Sequence, residues 1–596
     1  MNIHIKPSKV SGIITAPASK SYTNRALVLA ALVKNSVTIK NPLFSDDTKA
    51  MAACLMQLGI EVSIHHDRIE VKGSIDDIEE KEYQLNADLS GTTIRFLLAL
   101  SCLVPGTKIV SGKKGLNKRP IKDLVDALSQ LGAKIEYLDK EGYPPVRVSS
   151  SKLSPGTVKM NGTVSSQYIS AILMIAPLIG EITVEVIGDQ ISKPYIDMTI
   201  DTMKQFGITI SNKDYKRYTI PGDQKYNTNQ YLVEGDVSSA SYFFAIAALT
   251  KSILTVKNVK PNSMQADMRF LKILKDLGNK ITYKKGQVTI TGKGIKPVSV
   301  DMQDCPDQIQ TLGVLAAFAD GITKITGIQS LRLKETDRVI ALERELNKMG
   351  IKTSSSRDTL VIHGGKPKPA RIDTYGDHRM AMSFAVAAAL LSGMEINDPD
   401  VVGKTFPDFW KILNAIGIKT EQTIDKNVVL IGMRGSGKTT IAKLLAQKLN
   451  KEYLELDDVV VEKIGMSIPE IVEEHGWNFF RDRESEIADE VSNYHDKIIS
   501  AGGGIVTRAK NVEALKKNGV LILLKASIET LLRRIGNDQN RPFLTTKKTR
   551  REEIEELLKQ RKKLYELAAD EAIDTDKLDA QAVVNTILLK LEGQRI

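Results

Sequence analysis

One pattern recurs six times along the first 425 residues of this 596-residue chain: the end of an amphipathic helical stretch, a glycine, and a short β-type run. The copies fall at 55–60, 128–133, 203–208, 274–279, 346–351 and 413–418. Their glycines (Gly59, Gly132, Gly207, Gly278, Gly350, Gly417) lie 73, 75, 71, 72 and 67 residues apart. Glycine suits the left-handed position that closes a helix before the chain turns into a strand. A single copy says little, because glycine after a helix is common; six at a near-constant period mean a repeated folding unit. A repeat of roughly 70 residues is too long for a solenoid turn and suits a small α/β module. Six modules divide into two lobes of three, with the chain switching lobes near residues 20 and 235. Two lobes leave a cleft, the usual place for a substrate.

The repeat ends before a different kind of signal. Gly432-Met433-Arg434-Gly435-Ser436-Gly437-Lys438-Thr439 is a phosphate-binding loop, preceded by the apolar run 427–431 and followed by helical spacing over 441–449. Strand, loop and helix in that order give the pattern physical meaning. The glycines let backbone N–H groups converge on phosphate oxygens, and the helix turns its positive end toward them. Gly432, Gly435, Ser436, Gly437, Lys438, Thr439 and Thr440 are therefore the candidate ATP-binding residues. Lys438 neutralises the β/γ-phosphates and the Thr439 hydroxyl is the Mg²⁺ ligand.

Composition narrows the class. A hydrophobic content of 42% and mixed charge are those of a soluble globular protein. The longest apolar candidate, 168–179, is too short to span a bilayer and contains Pro177. The first seven residues lack a signal-peptide core. Cys54, Cys102 and Cys305 are too widely spaced for a disulfide framework or a zinc site, so a reducing cytoplasm is the simplest home. A net charge of +11 could suggest nucleic acid, but the basic residues form only short runs and aromatics are 5% of the chain. Small polyanionic substrates account for the excess instead, with no nucleic-acid or membrane partner.

Before residue 425, charged and hydroxyl groups cluster at five places: Lys20-Ser21 with Arg25; Ser90-Gly91-Thr92-Thr93 with Arg95 and Arg119; Ser165-Ser166-Gln167 with Ser192 and Tyr195; Asp307 with Lys334-Glu335-Thr336-Asp337-Arg338; and Asp377-His378-Arg379 with Lys404. Taken singly, each reads as a helix end or a solvated charge. Together, many cations and a few carboxylates suit a site that binds two anions and moves a proton.

These motifs resemble 5-enolpyruvylshikimate-3-phosphate (EPSP) synthase over essentially all of residues 1–425. The resemblance implies a two-lobed, inside-out α/β barrel of six βαβαββ repeats, in accord with the six glycines, with helix N-termini aimed at the interlobe cleft. It implies that Lys20, Ser21, Arg25, Ser165, Ser166, Gln167, Ser192, Tyr195, Asp307 and Lys334 hold shikimate 3-phosphate. Lys20, Gly91, Arg119, Gln167, Arg338, Arg379 and Lys404 would surround phosphoenolpyruvate. Asp307 and Glu335 are the proton-handling candidates, with Lys20 assisting as acid or cation, and no cofactor is implied. Two positions depart from the family pattern: Leu89 and Ser330 stand where an asparagine is usual. The related UDP-N-acetylglucosamine enolpyruvyl transferase is disfavoured, because the stretch 111–119 lacks that family's reactive cysteine.

Beyond the phosphate loop, Glu455-Leu456-Asp457-Asp458, Phe480-Arg481, Gly502-Gly503-Gly504, Arg541-Pro542 and Arg561 with Tyr565 resemble shikimate kinase over 427–596. The implied fold is a parallel sheet flanked by helices, with a mobile lid around Arg541. By resemblance, Asp457, Arg481, Gly503 and Arg561 bind shikimate, and the two arginines clamp its carboxylate with the bidentate geometry a guanidinium offers. Asp457 orients or deprotonates the 3-hydroxyl, while Lys438 and Arg541 stabilise the transferring phosphoryl group. Glu455 stands where the family has an aspartate. The resemblances combine into a bifunctional chain, 1–425 and 427–596 joined by a short linker at 420–426. It would use Mg²⁺ and ATP in the kinase domain and act on shikimate, shikimate 3-phosphate and phosphoenolpyruvate. The competing reading makes the C-terminal domain a non-catalytic nucleotide sensor, with Glu455 as its only support.

Overall fold

The computed structural model describes residues 2–423, 426–449, 451–535 and 549–593. Two compact units emerge, one over Ile3–Glu421 and one built on Gln422–Ile596. The strand Lys419–Thr423 takes up the first part of the stretch expected as a linker.

Each repeat glycine ends a helix in the left-handed region. Gly59, Gly132, Gly207, Gly278, Gly350 and Gly417 have φ between 79° and 103°, a conformation that costs an L side chain energy but glycine nothing. The first shows the pattern: helix Asp46–Gln57, C-cap Leu58, Gly59, then strand Glu61–Ile64 antiparallel to Arg68–Lys72. The larger unit contains six four-stranded sheets, matching the six repeats. Their outer faces are solvated, and the most apolar helices lie inside. All eleven residues of helix His378–Ala388 and twelve of the fourteen in Val237–Thr250 are buried. Helices that are apolar all round must be enclosed; each large apolar side chain so buried contributes about 1.5–3 kcal/mol.

Two sheets take one strand from across the chain, and this builds the crossover. Ser11–Thr15 pairs in parallel with Ile253–Lys257, whereas Gln230–Leu232 pairs in parallel with Val37–Lys40. The two connecting segments run side by side: Asp236 N donates to Pro17 O (2.8 Å) and Ser19 N to Glu234 O (2.8 Å). A Cβ on Gly235 would lie 1.7 Å from Asn258 O, so only glycine fits this crossing. One hydrophobic core draws on residues 18–233; the other draws on 3–16 and 237–418.

The basic excess is not spread evenly over this unit. Residues 251–296 hold eleven Lys and Arg against two Asp, one of them the buried Asp267. All ten lysines in that stretch are exposed. The sheet faces of other repeats instead carry cross-strand ion pairs such as Arg147–Glu136 and Arg217–Glu185.

The smaller unit has a five-stranded parallel sheet in the order Glu452–Glu455, Lys497–Ser500, Asn427–Ile431, Gly519–Lys525, Glu571–Asp574. Asn427–Ile431 is central and wholly buried, which explains its unbroken apolar run. It feeds directly into the glycine-rich loop and helix Lys438–Leu449. The three cysteines are free and buried. No helix among the described residues is long and apolar enough to cross a membrane.

Candidate functional site

In the larger unit, the clustered residues sit at helix starts. Lys20, Gly91, Ser166, Lys193, Arg338 and His378 are each the first residue of a helix. Side-chain oxygens of Ser19, Ser90, Ser165, Asp337 and Asp377 cap five of these helices. Capped N-termini hold the positive ends of helix dipoles beside the cations and favour anions between them.

A small cavity of about 90 Å³ is lined by residues of both lobes, among them Lys20, Arg25, Gln167, Tyr195, Asp307, Lys334 and Arg379. The Tyr195 hydroxyl donates to Asp307 Oδ2 across the cleft (3.1 Å), and burial pushes its pKa well above the usual phenol value. Arg379 Nη2 (2.8 Å) and Arg338 Nη1 (3.2 Å) also reach Asp307. Burial alone would raise that carboxyl, but Arg379, Lys334 and Arg338 outweigh it and hold Asp307 ionised.

Glu335 sits in an equivalent field. It accepts from Arg338 Nη2 (2.8 Å) and lies 3.3 Å from Lys404 Nζ and 3.6 Å from Arg119 Nη1. Here too burial opposes ionisation, and Arg338, Lys404 and Arg119 overcome it. Arg338 is only 2% exposed and is further fixed by Asp377 Oδ2 at 2.6 Å. Gly91 leaves room for this cation set, since a Cβ there would lie 2.9 Å from Arg119 Nη1.

Arg25 is placed differently from the other cations. Its guanidinium donates to Thr199 Oγ1 (2.8 Å), Ser21 O (3.0 Å) and Tyr195 O (3.0 Å), and burial draws its pKa down to about 10. It therefore ties two candidate residues together while lining the cavity. The two unusual positions also become clear. Lys404 Nζ donates to the Leu89 main-chain carbonyl (2.9 Å), a bond any residue at position 89 can accept, and Ser330 lines the cavity.

Several groups had no role assigned from sequence. Asp47 pairs with Lys20 Nζ at 3.0 Å and with Lys404 at 3.8 Å. Arg95 Nη1 donates to Gln167 Oε1 (2.6 Å), whose amide donates to Thr92 Oγ1 (3.2 Å). Buried Asp267 accepts from Gln308 Nε2 (2.7 Å); burial and the nearby Asp307 lift it to about 6. Burial, then Arg379, holds His378 well below the ordinary imidazole value, so it is neutral.

The smaller unit has a cavity of about 950 Å³ beside the phosphate loop. Gly432, Gly435 and Gly437 all have positive φ, and Lys438 Nζ donates to the carbonyls of Gly432 (3.0 Å) and Met433 (3.1 Å). Arg534 Nη1 donates to Ser436 O at 3.2 Å, a contact without sequence signal. Thr439 Oγ1 and the Tyr453 hydroxyl each donate to Glu455 Oε2 at 2.8 Å. The longer glutamate thus reaches the threonine hydroxyl directly.

On the cavity's other wall, Arg481 Nη1 binds both oxygens of Glu484 (2.8 and 2.7 Å), a carboxylate only 2% exposed. Gly502 and Gly504 make this arrangement possible. A Cβ at 502 would lie 2.7 Å from Asp457 Oδ1 and 2.9 Å from Glu484 Oε1, and one at 504 would overlap the Arg481 guanidinium at 2.1 Å. Arg561 Nη1 (3.0 Å) and the Tyr565 hydroxyl both donate to Gly503 O. The cavity lining therefore brings together Ser436, Gly437, Lys438, Thr439, Thr440, Asp457, Arg481, Gly503 and Arg561. Arg541 lies outside the described residues.

Residues 5–413 match the family model of EPSP synthase (3-phosphoshikimate 1-carboxyvinyltransferase). The chain belongs to the EPSP synthase family. Residues 434–592 match the shikimate kinase model, so a second enzyme family is fused to the synthase, which leaves the sensor reading unsupported. A 3-phosphoshikimate 1-carboxyvinyltransferase of Sulfurovum sp. (strain NBC37-1) is 40% identical over 422 residues, covering 70% of this chain and 99% of that protein. The pentafunctional AROM polypeptide 2 of Lodderomyces elongisporus is 36% identical over 603 residues and covers 94% of this chain. The chain spans only 38% of the length of that relative. An EPSP synthase structure from Acinetobacter baumannii superposes with a TM-score of 0.61 at 24% identity over 71% of this chain and 100% of that one, a likeness of fold.

Proposed function

We propose that this EPSP synthase–shikimate kinase fusion performs two consecutive reactions: ATP-dependent phosphorylation of the shikimate 3-hydroxyl, then transfer of the enolpyruvyl group of phosphoenolpyruvate to the 5-hydroxyl of shikimate 3-phosphate. The observation that carries the reading is a pair of half-buried carboxylates, Asp307 and Glu335, held ionised by a set of cations that meet at Arg338, with Arg379 and Lys334 around the first and Lys404 and Arg119 around the second. That set can exchange its carboxylate partners for the phosphates and carboxylates of two anionic substrates.

In the synthase step, ionised Asp307 takes the proton of the 5-hydroxyl as its oxygen attacks C2 of phosphoenolpyruvate. Tyr195 stays a neutral donor and orients Asp307. Arg119, Arg338 and Lys404 bind the incoming anion, so they compensate Glu335 less and its proton affinity rises. Glu335 takes up a proton from solvent, delivers it to C3, and takes one back from C3 as the C2–O bond to phosphate breaks; the proton from the 5-hydroxyl leaves Asp307 with the phosphate. Lys20, held by Asp47, supplies charge at the phosphate.

In the kinase step, Arg481, set by Glu484, and Arg561 clamp the shikimate carboxylate while Asp457 accepts the 3-hydroxyl proton. Lys438 and, by resemblance, Arg541 stabilise the phosphoryl group. The hard oxygen donors beside the loop, the Thr439 hydroxyl and the Glu455 carboxylate, fit Mg²⁺, which when bound with ATP neutralises phosphate charge. Phosphorus NMR of the full chain with ATP, Mg²⁺, shikimate and phosphoenolpyruvate tests the proposal. ADP, free phosphate and the enolpyruvyl product accumulating together support it, whereas product formed only from added shikimate 3-phosphate removes the kinase half.

A further inference from the structure

Arg434 has no role in the scheme above, yet it stands between the two halves of the kinase site. It lines the cavity together with Lys438, Asp457, Gly503 and Arg561. Its side-chain Nε and Nη2 are shut off from bulk solvent. Lys438 Nζ donates to the carbonyls of Gly432 and Met433, the two residues just before it, which fixes this part of the loop beside the phosphate-binding lysine. The acceptor side is equally close. A Cβ on Gly503 would lie 3.5 Å from Arg434 N, and the Gly503 carbonyl is itself held by Arg561 and Tyr565. The backbone bearing Arg434, part of the loop that cradles the nucleotide phosphates, thus lies against the glycine that faces shikimate. A guanidinium there can reach the group in transit.

We propose that Arg434 is a catalytic residue of the kinase reaction, a cation built into the phosphate loop that contacts the γ-phosphoryl group during transfer and the 3-phosphate of the product. The inference rests on the shikimate kinase reading above. In the step, the shikimate O3 forms a bond to Pγ and its proton passes to Asp457. The bond from Pγ to the bridging oxygen breaks, and its electron pair stays on ADP. The transferring group becomes planar only near the midpoint, where a planar, permanently charged guanidinium matches its three equatorial oxygens better than in the ground state. An arginine of this kind need not arrive from a second protein, because a cation supplied within the same chain serves the same purpose.

The test compares wild type with Arg434→Met and Arg434→Lys in the full-length protein. In the methionine variant, kcat for shikimate phosphorylation is expected to fall roughly 10²–10³-fold, the range for removing one preorganised transition-state donor. The KM for shikimate and the affinity for Mg·ADP, titrated by fluorescence, should stay within about threefold, because ground-state binding is not what is lost. Affinity for Mg·ADP with aluminium fluoride and shikimate, a mimic of the planar phosphoryl group, should fall by a factor similar to kcat. The lysine variant should recover part of both losses. An unchanged kcat overturns the proposal, and so does a loss confined to the shikimate KM, which would assign Arg434 to the acceptor carboxylate. Retained Mg·ADP affinity shows that the loop is still folded. A wild-type chain that fails to phosphorylate shikimate sinks the kinase reading itself, whereas an active wild type with an equally active methionine variant sinks only this inference.

Discussion

Replacing Arg338 with methionine removes the cation on which three carboxylates converge. Asp377 Oδ2 lies 2.6 Å from Nε, and Glu335 Oε2 and Asp307 Oδ1 lie 2.8 and 3.2 Å from the terminal nitrogens. Taking one partner out of a buried ion pair costs about 3–5 kcal/mol, because the other charge is left uncompensated. With three carboxylates affected and Arg338 2% exposed, the upper part of that range is expected for the synthase unit near pH 7.5. The pH dependence follows from the direction of the shifts. Asp307 and Glu335 are both held below the ordinary carboxyl range, so in the wild type their stabilisation is complete above the unfolded values and disappears only as pH falls through the folded ones. Without Arg338, burial gains on the remaining cations and the folded values rise. A carboxyl whose folded value lies above its unfolded value regains stability on acidification. The deficit of the variant should therefore shrink between pH 7.5 and pH 5. Urea unfolding in a Trp477→Phe background reads the synthase unit alone, since Trp410 is then the only tryptophan and is buried. A deficit below about 1 kcal/mol, or one that does not change with pH, would refute the claim that Arg338 compensates these buried charges.

Gly91→Ala would bring a methyl within 2.9 Å of the Arg119 guanidinium. The flexible arginine should give way, raising the KM for phosphoenolpyruvate while the urea midpoint hardly moves; steady-state kinetics and denaturation read the two effects. Arg481→Lys exchanges a bidentate contact with Glu484 for a point charge. It should raise the shikimate KM by one to two decades, about 1.5–3 kcal/mol, without changing synthase turnover in the same chain. Glu455→Ala removes the carboxylate that holds the Thr439 hydroxyl, and the Mg²⁺ concentration for half-maximal phosphorylation should rise while the ADP affinity measured without metal stays constant. Gly235→Ala forces a Cβ to within 1.7 Å of a backbone oxygen at the crossover, and overpacking of that kind should cost about 1–3 kcal/mol in the same urea assay.

How far the chain could be read in advance depended on whether a feature was local. The six repeat glycines announced themselves because a left-handed helix end is settled by the residues beside it, and all six have positive φ. The phosphate loop was legible for the same reason, its strand, glycines and helix being contiguous. The roles of Asp47 and Arg95 were not, because each acts through partners far away in sequence: Lys20 and Lys404 for Asp47, Gln167 for Arg95. Arg25 shows a further limit. Its motif marks it as a cation near the substrate, yet its donors are already directed at Thr199, Ser21 and Tyr195. The departure at Leu89 looked consequential only because a sequence displays side chains, and the contact found there is made by the main chain.

On the proposed function, the two units bind anions in different ways, and the difference follows from their folds. The synthase gathers single residues from many helix starts, so much of its positive field is compensated internally; carboxylates answer Lys20, Arg119, Arg338, Arg379 and Lys404, and Glu335 alone has three basic groups within 3.6 Å. Each anion that binds must displace such a pairing, which couples substrate binding to the proton affinity of the carboxylate released. The kinase concentrates its field in one contiguous loop whose donors are mostly backbone N–H groups. These dipoles need no counter-charge when no phosphate is present, and Lys438 is satisfied by two main-chain carbonyls. Proton uptake on ligand binding should therefore be found at one site and not at the other. Calorimetric titrations in buffers of different ionisation enthalpy should show protons taken up when phosphoenolpyruvate joins the shikimate 3-phosphate complex near pH 7, and close to none when Mg·ADP binds. Equal uptake at both sites, or none with phosphoenolpyruvate, would mean that the carboxylates of the cleft keep their cations throughout, and that the proton for C3 comes from a group other than Glu335.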